Sequence, residues 1–221
     1  MIHRSSLAFL KNLSRNNNRD WFNAHRPEYE LALANSRAFF DEVIARLNTH
    51  DRIETPSAKQ AMYRIYRDLR FSKDDTPYNP RFGSYFARTK PMLRGGYYLW
   101  IEPGESWLGC GFAYPNPDDL KTIRLDILKN HRKWNRLLDS KGIKDRFGEM
   151  QGDQVPTAPR GIPKDHPALN LLRRKQFWFR RSFSDREVLS PDFIDDVNQT
   201  YKSIRPFFDY MSQVLAPRST G

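Results

Sequence analysis

The segment RIYRDLRFSKDDTPYN, residues 64–79, sets Arg64, Arg67, Arg70 and Lys73 beside Asp68, Asp74 and Asp75, with Tyr66, Phe71 and Tyr78 among them. A planar guanidinium holds two oxygens of a carboxylate or phosphate at once, and an ammonium adds a compact charge. Residues of these types suit a pocket for a phosphorylated or carboxylated ligand. Arg64, Arg67, Arg70 and Lys73 would supply the charge, and Tyr66, Asp68 and Tyr78 would orient them. The same residues also suit an internal network. A buried guanidinium needs a partner, and Asp68 is the nearest acid. Asp74 and Asp75 reduce the positive surplus. Residue types alone leave both readings open.

A second polar group lies at Arg160-Gly161, Asp165-His166-Pro167 and Arg173-Arg174-Lys175. An imidazole is a common general base or acid, which makes His166, together with Arg173, a secondary candidate. An enzyme is therefore an alternative, with Asp68 or His166 moving protons where Arg and Lys stabilise developing negative charge. A hydrogen-bonded structural role for a histidine at a helix start is the competing reading. A third possibility is a non-catalytic interaction protein whose charges are purely structural. Gly109 and Gly111 bare one side of a strand, which admits either a ligand or a packed neighbour. Asn16-Asn17-Asn18-Arg19-Asp20-Trp21 reads as capping and turn formation before binding.

Several chemistries find no support. One cysteine and five histidines, none in a zinc-ligand spacing, predict no metal site. No dinucleotide, nucleophile-elbow or phosphate-loop pattern occurs, so no cofactor is expected. Adjacent acids such as Asp118-Asp119 are poorly placed for two-carboxylate hydrolysis. Lys and Arg outnumber Asp and Glu by 37 to 26, a net +11, which favours anionic partners. The basic residues are spread along the chain and form no arm, so nucleic acid is only weakly supported. No apolar run is long enough to cross a bilayer, and the first residues lack a secretory pattern. With a lone Cys110 and no internal disulfide, a cytoplasmic location is expected. The oligomeric state is not set by sequence.

Hydrophobic residues make up 38% and aromatic ones 14%, so rings must build much of the core. The pattern predicts helices over 6–13, around Trp21-Phe22 and over 27–48. Tyr29, Leu33, Phe40, Val43, Ile44 and Leu47 form the stripe of the last of these. Residues 62–71 fit a strand or a helix, with a strand ending near Asp68 preferred. Ser57 and Gln60 would form a capping box on the helical reading. Strands are expected at 82–89, 97–102, 107–114 and 176–183, with the second and third as a hairpin. Asn116 and Pro117 open a helix running through Trp134 to Leu138. Residues 142–165 read as loop, and Asp165 would cap a helix over 166–174. A final helix starts at Ser190-Pro191-Asp192 and is interrupted at Pro206. The expected fold is α+β, an antiparallel sheet of about four to six strands with helices packed against it. It forms a single domain over 1–218, with a disordered tail at 219–221.

The charged segment resembles the signature of the domain-of-unknown-function 2461 family, whose members show the form RxxRDxRFSKDKxPYK. The likeness extends to FLKNLSRNNNRDWFNAHRPEYE, GGYYLWIEPGESWLGCGFAYPNPDDLKTIR and PRGIPKDHPALNLLRRKQF. The resemblance implies no assigned reaction. This chain has Asp75 where the family usually has a second Lys, and Asn79 where it usually has Lys. Both departures remove positive charge, so an anion site here would need cations from elsewhere, such as Arg81 or Arg88.

Overall fold

A computed structural model describes residues 1–68, 70 and 75–216. The expected tail at 219–221 lies outside them. Helices α1 (Arg4–Arg15), α2 (Arg19–Ala24), α3 (Arg26–Leu47) and α4 (Ala58–Ala61) come first. Strands β1 (Phe82–Ala87), β2 (Gly96–Ile101) and β3 (Ser106–Phe112) follow. Then come α5 (Pro117–Leu138), α6 (Lys141–Phe147), α7 (Leu169–Leu172), β4 (Phe177–Phe183), α8 (Asp185–Val188), α9 (Phe193–Ser203) and α10 (Arg205–Val214). Among the described residues the strands form one antiparallel sheet in the order β1-β2-β3-β4, with helices packed against it, an α+β fold. No helix among them is long and apolar enough to cross a membrane.

Local chemistry accounts for most element ends. Asn18 Oδ1 accepts from the Trp21 N–H and Asn116 Oδ1 from the Asp119 N–H, which caps α2 and α5. Pro27, Pro117 and Pro206 occupy first turns, where no N–H is needed. In β2, Tyr97, Leu99 and Ile101 are fully buried while Tyr98 and Trp100 are half-buried, the alternation of a strand with one covered face. The β2–β3 turn uses Gly104 at φ +78° and ties Ser106 Oγ to Glu102.

Some segments differ from the sequence reading. Tyr63–Tyr66 is neither helix nor regular strand. It is extended and touches its neighbours through two isolated bridges, Met62 with Ser84 and Tyr66 with Tyr78. Ser57 makes no side-chain cap on α4. Part of the expected loop after 142 is the helix α6. The helix expected over 166–174 is confined to Leu169–Leu172, with Ala168 and not Asp165 at its start. There the Ala168 N–H donates to the His166 ring at 3.1 Å. A capping box, Ser184 with Glu187, starts α8.

Contacts cluster into two compact units, each drawn from three stretches of chain. The first comprises 1–86, 98–108 and 182–199. Its core stacks Phe39 on Phe193 at 5.5 Å, sets Phe183 edge-on to Phe193, and sets Phe40 edge-on to Phe86. The second comprises 87–97, 109–181 and 200–221. There Tyr97 meets Tyr201 and Phe208, and Phe207 meets Trp134 and Phe179. Arg88 is fully buried in this unit. It donates to Arg94 O at 2.8 Å and Ser212 Oγ at 3.2 Å and pairs with Asp209 at 3.1 Å.

Gly111 sits at φ +138°, and a Cβ there would meet Phe177 O at 2.4 Å and the Trp178 Cα at 2.5 Å. The bare strip therefore admits the β4 backbone at this position. Gly111→Ala should lower the urea unfolding free energy by more than about 1 kcal/mol. Gly142→Ala, where a methyl would sit 3.5 Å from Ser203 Cβ, should cost little or stabilise. Elsewhere in this unit, Tyr210 donates to Asp126 Oδ2 at 2.6 Å, and burial followed by that carboxylate raises its pKa. Complete burial raises Tyr201 as well. An unfolded tyrosine ionises near 10, so the folded state retains protons above that pH and loses stability as pH rises further. Absorbance at 295 nm should show Tyr201 and Tyr210 ionising only as the protein unfolds.

Candidate anion-binding site

Tyr29, Leu33 and Arg37 lie four residues apart on α3 and so share one helical face. Opposite runs the extended segment 62–66. Its Tyr63 N–H donates to Gly83 O at 2.9 Å. Further along, the Asn79 N–H donates to Ile65 O at 2.7 Å and the Arg67 N–H to Pro77 O at 2.9 Å. Between helix and segment is an open cleft of about 180 Å³ in the first unit. Met62, Tyr63, Arg64, Ile65 and Tyr66 form one wall, the α3 face another, and Lys59 and Phe82 complete it.

Three of these side chains are cationic, Arg37, Lys59 and Arg64, and among the described residues no acid lines the cleft. All three are exposed, and none has a hydrogen-bond or ion-pair partner among the described residues. Burial raises the pKa of Tyr29, with Tyr66 adding to the effect, and burial raises that of Tyr63. Both phenols therefore stay protonated and able to donate. Tyr63 stacks on Trp100 at 5.5 Å, and Trp100 in turn lies across Gly83, where a Cβ would meet its ring at 2.8 Å.

The signature segment is held in place by the asparagine run. Asn17 Nδ2 donates to Tyr78 O at 2.9 Å, and its Oδ1 accepts from the Tyr78 N–H at 3.1 Å. One side-chain amide thus satisfies both backbone groups of Tyr78. The buried Tyr78 ring stacks on Phe22 at 4.1 Å. Asn16 Nδ2 donates back to Asn12 O, and Asn18 caps α2. Each asparagine has a separate local task.

The candidate residues go to different places. Arg64 and Tyr66 line the cleft. Arg67 donates through Nη1 to Thr76 Oγ1 at 2.6 Å. Arg70 grips Asp68 with two bonds, at 2.9 and 2.5 Å, which lowers the Asp68 pKa although both side chains are exposed. Lys73 and Asp74 lie outside the described residues. Arg81 pairs with Glu102 at 3.6 Å and lies over the Trp100 ring, and Arg88 is buried as above.

His166 and Arg173 belong to the second unit. Besides accepting from Ala168, His166 sets its ring edge-on to His131 at 5.3 Å. Arg173 Nε donates to Val155 O at 2.7 Å. Arg124 and Arg174 similarly donate to carbonyls, and burial lowers both their pKa values. Among the described residues no group of three or more His, Cys, Asp or Glu could hold a metal ion. Sequence reasoning did not single out Arg37 and Lys59. The signal available for Arg37 was its spacing of eight from Tyr29.

Asn17→Ala strips partners from two backbone groups of a buried residue and should cost about 2 kcal/mol in urea unfolding. Arg70→Ala removes only an exposed pair and should leave the melting temperature almost unchanged.

No curated protein and no solved structure matches this chain. A family model described as conserved hypothetical protein (DUF2461) matches residues 5–210, a span that includes the cleft, its three cations and the Asn17–Tyr78 clamp. The chain belongs to the DUF2461 family.

Proposed function

We propose that this protein binds a small phosphorylated or carboxylated ligand in the cleft between α3 and residues 62–66. The observation that carries the reading is the set of Arg37, Lys59 and Arg64 around one hollow, with no acid in its wall and no hydrogen-bond or ion-pair partner for any of them among the described residues. Like charges held near each other raise the free energy of the empty site, and an anion relieves it. The bonds of Arg67 to Thr76 and of Arg70 to Asp68 favour a structural role for the far end of the signature segment. The segment therefore divides its labour. Arg64 serves the ligand, and Arg67 and Arg70 serve the loop. The net charge of +11 adds a general attraction for anions.

Thermal unfolding with sodium phosphate, against sodium chloride at equal ionic strength, tests this. Phosphate at a hundred times its dissociation constant should stabilise the protein by about 2.7 kcal/mol. Arg64→Ala and Arg37→Ala should each abolish most of that gain while melting like the parent in chloride. An equal phosphate effect in parent and variants, or none in the parent, would sink the proposal.

A further inference from the structure

We infer that the anion taken by this cleft carries one aromatic ring, as an aryl phosphate or aryl carboxylate. Its charged group would sit among Arg37, Lys59 and Arg64, with its ring against Leu33, Met62 and Phe82. This rests on the anion-binding reading above and adds what the rest of the wall selects.

A site for a bare inorganic anion has no use for an apolar floor, yet Leu33, Met62 and Phe82 line this one together with the cations. The cleft of about 180 Å³ is of the size that accepts a single ring. An apolar protein cavity of roughly 150 Å³ takes up benzene. The walls are also flat. Tyr29, Tyr63 and Tyr66 line the cleft, and aromatic faces and edges favour another ring over a flexible chain.

The tyrosine wall is fixed in place. Tyr63 leans on Trp100, and Trp100 stacks on Trp107 at 5.6 Å. Tyr29 packs against Phe22 at 4.9 Å and Phe9 at 5.9 Å. Tyr66 lies 5.4 Å from Tyr78. None of the three hydroxyls has a hydrogen-bond partner among the described residues. Burial keeps the Tyr29 and Tyr63 phenols protonated past their ordinary value of 10.0, so they face an anion as neutral donors.

Titration calorimetry on the full chain compares inorganic phosphate, phenyl phosphate and butyl phosphate, and separately acetate with benzoate. Phenyl phosphate should bind about tenfold more tightly than inorganic phosphate from the apolar area it buries in an open cleft, and more tightly than butyl phosphate. Benzoate should exceed acetate by a similar ratio. Leu33→Asn alters a half-buried position and should weaken phenyl phosphate binding several-fold more than inorganic phosphate binding, so that the phenyl advantage falls. Met62→Ser gives the same comparison if that variant does not fold. Phenyl phosphate binding no better than inorganic phosphate, or no better than butyl phosphate, overturns the ring and leaves the anion reading standing. Absence of binding by both inorganic and phenyl phosphate overturns the two together.

Discussion

The side-chain amide of Asn17 is the constraint on which the site depends. Among the described residues of 62–79 no regular ladder satisfies the backbone, only isolated bridges and single hydrogen bonds. A buried residue such as Tyr78 cannot leave its N–H and C=O unpaired without large cost. Asn17 is one of few side chains that can answer both at once, since it carries a donor and an acceptor on one rigid plane. It does so from a turn whose neighbours, Asn16 and Asn18, end one helix and begin the next. The Phe22 ring, on the helix that Asn18 caps, then meets the Tyr78 ring face to face. Polar and apolar contacts from the same short stretch thus lock one point of the signature segment, and the cleft wall at 62–66 extends from that point.

Competition for cations decides what the site can be. Guanidinium groups bind whichever oxygens reach them first, and the protein's own oxygens are always at high local concentration. Asp68 is two residues from Arg70 and Thr76 is nine from Arg67, so both arginines are engaged close to home. Arg64 lies on the other side of the Tyr66 bridge, beside two cations from helices that carry no acid into the cleft. It acts on Asp68 only through space, while Arg70 holds that carboxylate by hydrogen bonds. The tyrosines Tyr29 and Tyr63 are neutral phenols near neutral pH, as tyrosine ordinarily is, and burial raises their pKa further.

In the second unit the same chemistry is used in the opposite sense. Arg88 is completely enclosed, and its hydrogen bonds go to carbonyls, a serine and Asp209, while its plane lies over the Phe208 ring. Such an ion is tolerable inside a protein only when its donors are used. Asp126 is treated likewise, accepting from Trp134, Asn130 and Tyr210 within 2.8 Å. Arg124, Arg173 and Arg174 fasten the connection between α6 and β4 through its carbonyls. Several basic residues of this sequence are therefore internal clamps.

The sequence by itself determined the elements whose signals are local. Alternation in Tyr97–Ile101, the Asn116-Pro117 helix start and the break at Pro206 all depend on residues within one turn or one strand, and each is present in the fold. It also showed where unusual charge is concentrated. It did not show which charges are quenched, because that depends on distances between residues far apart in the chain. Asn17 and Tyr78 are separated by 61 positions, and Arg37 reaches the same hollow as Arg64 only because α3 runs beside the extended segment. Short helices such as α6 and α8 escaped for a related reason, since packing and not propensity stabilises helices of so few residues. Folding supplied the assignment of each arginine to an internal partner or to the cleft, because electrostatic pairing follows separation in space and not order along the chain.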